Sequence, residues 1–305
     1  MVKVSLLVPI FDTNIFRFVA EGKISPCDWR RARRAAPRTG WPLSGLTFYE
    51  LLLGLHRSDE SGFPKSKEPV TLAYHSSKGR VLPLPGLFLW ERCHRKRHRN
   101  SAAQRKQLES SLKLATIARS RVALASGGVP WPNAIHPGTE YGVVDLNHVA
   151  AAIEQPEQKF VARMLQVRDE AYAQHGITKL GEPPDSWASL KDKINRDCDA
   201  GVWRKSAAAD ILKILGVQCS EDESLIFSAK IDASTTLSQN ILRMLMLSPY
   251  DLDADRSVYR DIFQLLYLAD DKYYFVTEDN RLRHHMSSSI QQGRVITFGQ
   301  LLALL

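Results

Sequence analysis

Apolar residues cluster at the two ends of the chain in short runs, and recur at helical spacing through its middle. The first run, Val4-Ser5-Leu6-Leu7-Val8-Pro9-Ile10-Phe11, stops at Asp12 and predicts a strand over 3–11. Helices are expected near 14–21 and 26–36, and a further one over 46–55. The polar stretch 56–80, with Ser, Gly and Pro, reads as a loop, and 80–90 reads as extended because Pro83 and Pro85 interrupt any helix. A helix over 101–125 leads into a loop through Gly127–Asn133 and His136–Gly142. Spacings of three and four then predict helices within 145–153, 157–174, 187–196, 203–215 and 221–247. A helix at 255–269, a strand at 273–277, a short helix from 279, a strand at 294–297 and a terminal helix complete the pattern. Strands near both ends and helices between them predict an α/β fold.

Composition changes this picture little. With 305 residues, 44% hydrophobic and 24% charged, the chain can bury a large core, which excludes a disordered or fibrous protein. Cys27, Cys93, Cys198 and Cys219 form no CxxC pair, which points to a reduced, cytoplasmic setting. The first apolar run is too short for a signal core, and no run approaches the roughly 18 apolar residues of a membrane span. A soluble protein without a membrane partner is expected. Cys93, His94 and His98 lack a second ligand pair at zinc-finger spacing, and His284-His285 is a poor metal pair. Phosphate-cradling glycine loops, HExxH and GxSxG are absent from the sequence, which weighs against nucleotide-driven motors, dehydrogenases, zinc proteases and α/β hydrolases.

Charge is more informative. The net charge is +8, yet residues 1–150 carry 23 basic and 11 acidic side chains, while the remainder carries 18 and 22. Two clusters dominate the basic half: Arg30, Arg31, Arg33, Arg34 and Arg38, then Arg92, His94, Arg95, Lys96, Arg97, His98 and Arg99. Each alone suits a solvated helix face; two together suggest a footprint for a phosphate backbone. Trp41, Trp90 and Trp131 are able to stack on unpaired bases, although tryptophans in apolar stretches ordinarily belong to the core.

Four acids stand where charge is expensive. Asp12 follows the first strand directly, and Asp279 follows Tyr273–Thr277 in the same way. If those strands are parallel neighbours, both carboxylates emerge at the carboxyl edge of one sheet, where open α/β sheets place ligands. Glu50 and Asp261 sit on predicted helices beside apolar stripes, flanked at helical spacing by Leu46 and Leu53 and by Val258 and Leu265. Singly, each acid has a plain explanation, as a helix N-cap or as the partner of an arginine such as Arg260 or Arg281. Jointly, four carboxylates repel one another unless a cation is present, and a hard ion such as Mg²⁺ or Mn²⁺ suits an all-oxygen set.

Their order and spacing resemble the PIN-domain nucleases. The resemblance rests on Asp12-Thr13-Asn14-Ile15-Phe16, on Leu46–Leu55 with Glu50, on Asp261 followed by Asp279 after Val276-Thr277-Glu278, and on the tail Val295–Leu302. It covers about 1–57 and 254–305, and the stretch between Glu50 and Asp261 is far longer than compact members carry. It implies a three-layer α/β/α domain with a mainly parallel sheet over 1–100 and 251–305, with 80–90 supplying a central strand and 101–250 a helical insertion or second lobe. It further implies Asp12, Glu50, Asp261 and Asp279 as catalytic metal ligands, with Asn14 and Thr277 as supporting groups. Asp145, Asp255 and Asp270 remain alternatives to Asp261. The expected activity is Mg²⁺- or Mn²⁺-dependent nucleic-acid hydrolysis, on RNA in preference to DNA, of the toxin or defence kind, with a cognate inhibitor as a partner. Arg30, Arg31, Arg33, Arg34, Arg95, Lys96, Arg97 and Arg99 would hold the nucleic-acid backbone. A catalytically silent binding or interaction module on the same scaffold is the alternative.

Overall fold

The computed structural model describes residues 8–126, 129–131, 142–144, 146–218 and 227–305. Among the described residues the chain is mainly helical around a small parallel sheet. Strand β1 (Val8–Phe11) leads through Asp12 into α1 (Thr13–Ala20), and α2 (Pro26–Ala35) follows. Ser25 caps α2 by accepting from Asp28 N at 3.1 Å, with Pro26 in the first turn where no amide is needed. Ser44 does the same for α3 (Gly45–Arg57), accepting from Thr47 N at 2.9 Å.

Two expectations fail in the next stretch. Residues 56–80 are not a loop throughout: α4 (Phe63–Ser77) runs through them, burying Phe63, Val70 and Ala73. Nor do residues 80–90 supply a central strand. Val81 makes only an isolated parallel bridge to Leu43, and α5 (Pro85–Cys93) begins four residues later. Pro64 and Pro85 both occupy first turns, so residues read as breakers instead start helices. Gly40, at φ +72°, lets the chain turn hard against α4, since a Cβ there would lie 2.7 Å from the Ser76 carbonyl.

Helix α6 (Ser101–Ile117) ends earlier than expected, and α7 (Arg121–Ser126) is separate. The expected loop after it contains an antiparallel pair, β2 (Val129–Trp131) with β3 (Gly142–Val144). The two helical patterns at 145–153 and 157–174 are one helix, α8 (Leu146–Gln174), with Pro156 inside it. Then come α9 (Pro184–Asp199), α10 (Val202–Ile214), α11 (Asp232–Leu247) and α12 (Val258–Gln264), the last continuing as a 3-10 turn over Leu265–Ala269. Strand β4 (Tyr273–Val276), α13 (Asn280–His285), β5 (Val295–Ile296) and α14 (Phe298–Leu304) close the chain.

The sheet order is β1-β4-β5, all parallel, with Phe11 opposite Val276 and Val276 opposite Ile296. Residues from the two chain ends are therefore direct neighbours. Side chains alternate across the sheet, so its faces feed different cores. Phe11, Val276 and Ile296 join a cluster with Phe16, Trp29, Phe48, Leu52 and Leu112, while Ile10, Phe275 and Val295 join one with Phe88, Leu237, Ile241 and Leu266. Residues from 101–250 contribute to both clusters, so the apolar core runs across the boundaries expected at 100 and 250. No helix of the described residues is long and apolar enough to cross a membrane.

Candidate functional site: a carboxylate edge

The parallel register dictates where the first acid sits. Asp12 N donates to the Val276 carbonyl at 2.9 Å, extending the β1–β4 ladder by one residue and fixing Asp12 beside Thr277. Asp12 is 7% exposed and holds a dense set of donors: Thr13 N at 2.6 Å, Asn14 Nδ2 at 2.6 Å and Thr277 Oγ1 at 2.7 Å. Asn14 Nδ2 also reaches Thr277 Oγ1 at 3.1 Å, and Asn14 Oδ1 accepts from Glu278 N at 3.4 Å. The two residues expected to support the site thus lock the carboxyl ends of β1 and β4 together. Asp279 is half-buried and caps α13, accepting from Arg281 N at 2.8 Å and Leu282 N at 3.1 Å.

Glu50 reaches the same place from α3. Thr47, one turn earlier, donates Oγ1 to the Phe11 carbonyl at 3.0 Å and so anchors the helix to the end of β1. Glu50, 9% exposed, accepts hydrogen bonds from Thr13 Oγ1 and from Gln264 Nε2 at 2.9 Å. Arg260 Nε stands 3.4 Å from Glu50 Oε1 and 2.7 Å from Glu157 Oε1, so one guanidinium serves two buried acids. Asp261 projects from the same helix as Arg260 and Gln264.

The electrostatics set these acids apart. Burial, then the Glu50 charge, pushes Asp12 from its ordinary 3.8 up to about 7, against the pull of the Thr277 and Thr13 hydrogen bonds. Asp261 is raised well above the carboxylate range by burial first, and then by Asp12, Glu50 and Asp279. All four expected acids therefore lie within one another's field. Among the described residues, the Asp261 carboxylate receives no hydrogen bond or salt bridge. The nearby arginines are engaged elsewhere, Arg260 with Glu50 and Glu157, and Arg281 with Asp255 at 3.2 Å.

The donor set suits a hard cation: it is all oxygen, and the fully buried Gln264 leaves its Oε1 without a donor. As placed, no three or more His, Cys, Asp or Glu side chains among the described residues are arranged to hold one ion. Asp12, Glu50 and Asp279 each accept from protein donors. The residue types nonetheless fit a hard cation.

The alternatives to Asp261 separate cleanly. Asp255 is neutralised by Arg281 and accepts from Tyr250 OH at 2.7 Å. Asp270 pairs with Arg92 at 2.9 Å and Lys272 at 3.1 Å. Asp145 lies outside the described residues. Three contributors escaped the sequence reading, Thr13, Gln264 and Glu157, whereas Arg260, expected as an arginine partner of an acid, pairs with Glu50. Gln264 stands three residues from Asp261 on the same helix, which was a usable signal, whereas Glu157 on α8 carries none.

The two basic clusters lie at different ends of the sheet. Arg30, Arg31, Arg33 and Arg34 are exposed on α2, whose Trp29 packs against Phe11 at 5.6 Å and Phe298 at 5.9 Å, both at the carboxyl edge. Arg92 pairs with Asp270 ahead of β4, at the amino edge. Arg95, Lys96, Arg97 and Arg99 follow it, exposed in the turn between α5 and α6, where a helix start was expected. Trp41 is buried in the core, and Trp90 is half-buried with His94, His98 and Lys96 around it. The Trp131 side chain lies outside the described residues. Comparison of the chain with family models, with curated proteins and with solved structures gives no match.

Proposed function

We propose that this chain is a Mg²⁺- or Mn²⁺-dependent phosphodiester hydrolase, a ribonuclease built on a PIN-like three-layer fold. The observation that carries the reading is Asp261: a carboxylate without a donor, held in the field of Asp12, Glu50 and Asp279 at the carboxyl edge of a parallel sheet. Purely structural acids are normally neutralised, as Asp255 and Asp270 are here. The choice of RNA over DNA, and a toxin or defence role with a cognate inhibitor, follow the resemblance of the acid spacing to PIN-domain nucleases.

A bound divalent ion supplies charge neutralisation at the phosphoryl oxygens and a lower pKa for the attacking water. Asp12 and Asp279 at the sheet edge, with Glu50 on α3 and Asp261 on α12, would hold it. Thr277 and Asn14 fix the orientation of Asp12. Glu50 or Asp261 would accept the proton of the attacking water. The exposed arginines of α2 lie on the side where a polyanion would approach.

The test is incubation of the purified protein with labelled single-stranded RNA and DNA, in Mn²⁺ or in EDTA, beside Asp12→Asn. Cleavage should require the cation and vanish in the variant. Cleavage unchanged in EDTA or in the variant rejects the metal site. Salt-sensitive binding without cleavage assigns the chain to the silent binding class.

A further inference from the structure

Helix α8 reaches the carboxylate edge from outside the segments that resemble the nucleases. It carries Glu154 and Glu157, three positions apart and therefore on one side of the helix. Each meets an arginine from a helix that also bears one of the four acids. Glu154 pairs at 2.8 Å with Arg57, two turns after Glu50 on α3. Glu157 pairs at 2.7 Å with Arg260, next to Asp261 on α12.

The two ties differ in burial. The Glu154 and Arg57 side chains are 34% and 53% exposed, and such surface pairs contribute little. Those of Glu157 and Arg260 are 2% and 17% exposed. Burial raises the Glu157 carboxyl above its ordinary 4.5, and Arg260, then Arg256, oppose the rise. Neither Glu157 Oε1 nor Arg260 Nε makes a hydrogen bond, so charge rather than bond direction keeps them together. The same Nε stands 3.4 Å from Glu50 Oε1, so the guanidinium lies nearer the acid outside the cluster than the one inside it. Guanidinium donors match carboxylates closely, and one released among these acids would take up oxygen that a divalent ion needs.

We infer that Glu157 is a positioning residue for the metal site: its carboxylate draws the Arg260 guanidinium toward α8 and keeps it off Asp261, which stays open to a divalent ion. The inference rests on the metal-dependent reading above and gives α8 a part in it.

Mn²⁺ binding to the full chain, followed by electron paramagnetic resonance of the free ion, tests it without a cleavage assay. Glu157→Gln should weaken binding by about tenfold, as loss of an outer partner does at metal sites. Adding Arg260→Met removes the released guanidinium and should return the affinity to within about threefold of the wild type. If Glu157 only fastens α8 to α12, the double variant lacks that tie as fully and binds no better than Glu157→Gln. Glu157→Asp keeps the buried charge but shortens its reach; it should weaken binding in smaller measure, and serves if Glu157→Gln does not fold. Glu154→Gln, at the exposed tie, should stay within about twofold. Unchanged affinity in the Glu157 variants, or a double variant no better than the single, overturns the inference and leaves the metal site standing. A wild-type chain that binds no Mn²⁺ removes the metal site and the inference together.

Discussion

The two ends of β4 treat acids in opposite ways. Just before the strand, Asp270 holds Arg92 at 2.9 Å and Lys272 at 3.1 Å. Just beyond the strand, Asp279 shares its surroundings with Asp12, Glu50 and Asp261; Arg260 reaches Glu50 at 3.4 Å, and among the described residues Asp12, Asp261 and Asp279 make no salt bridge. At about 3.3 Å per residue, only about 10 Å of strand separates the two situations. The contrast shows that this fold pairs the acid at one end of the strand with two cations and sets a single guanidinium among four acids at the other.

The contrast breaks most visibly at Asp12. Asp12→Asn should lower cation-dependent cleavage by about a hundredfold or more in single-turnover assays, a loss typical of removing a group that stabilises developing charge. Asp270→Asn should leave the rate within twofold.

Acidity separates the ends next. The Asp12 carboxyl, raised to about 7 in the folded chain from 3.8, contributes stability that is fully present below 3.8 and lost as pH rises through about 7. The cation-free protein should therefore melt at lower temperature at pH 8 than at pH 5.5, and millimolar Mn²⁺ should restore more stability at pH 8. Cleavage should climb through neutrality as Asp12 ionises. Asp12→Asn should flatten the melting dependence; an unchanged slope would remove Asp12 as its source.

Stability gives the third, smaller contrast. Asp261→Asn relieves repulsion and should raise the melting temperature of the cation-free protein by several degrees. Asp270→Asn leaves Arg92 and Lys272 unpaired at a partly exposed position and should cost at most about 1 kcal/mol. Matching signs in the two variants, read by denaturant titration, would erase the distinction.

The smallest effects concern the basic clusters. Arg33→Ala with Arg34→Ala should weaken RNA binding and reduce the salt slope by about 2. Arg95→Ala with Arg97→Ala, at the amino edge, should change it little. A reversed ranking in filter binding at several salt concentrations would place the nucleic acid at the other end of the sheet.

Much of the sheet and its acids was legible because it is written locally. An apolar run ended by an acid marks both β1 with Asp12 and β4 with Asp279, and the faces of α3 and α12 betray Glu50 and Asp261. What was illegible depends on tertiary context. Pro64 and Pro85 look like breakers until their place in a first turn is known, which is why α4 and α5 were missed. Pro156 lies within a helix that reads as two. The bridge from Arg260 to Glu157 joins residues 103 positions apart.

Because β1 pairs with β4 across more than 260 residues, the first of these strands to be made waits a long time for its partner. Closing so long a loop is slow to accomplish, and local helices have formed well before it. Asp12 and Asp279 thus stay in separate surroundings throughout synthesis, and a chain interrupted before residue 273 never brings them together.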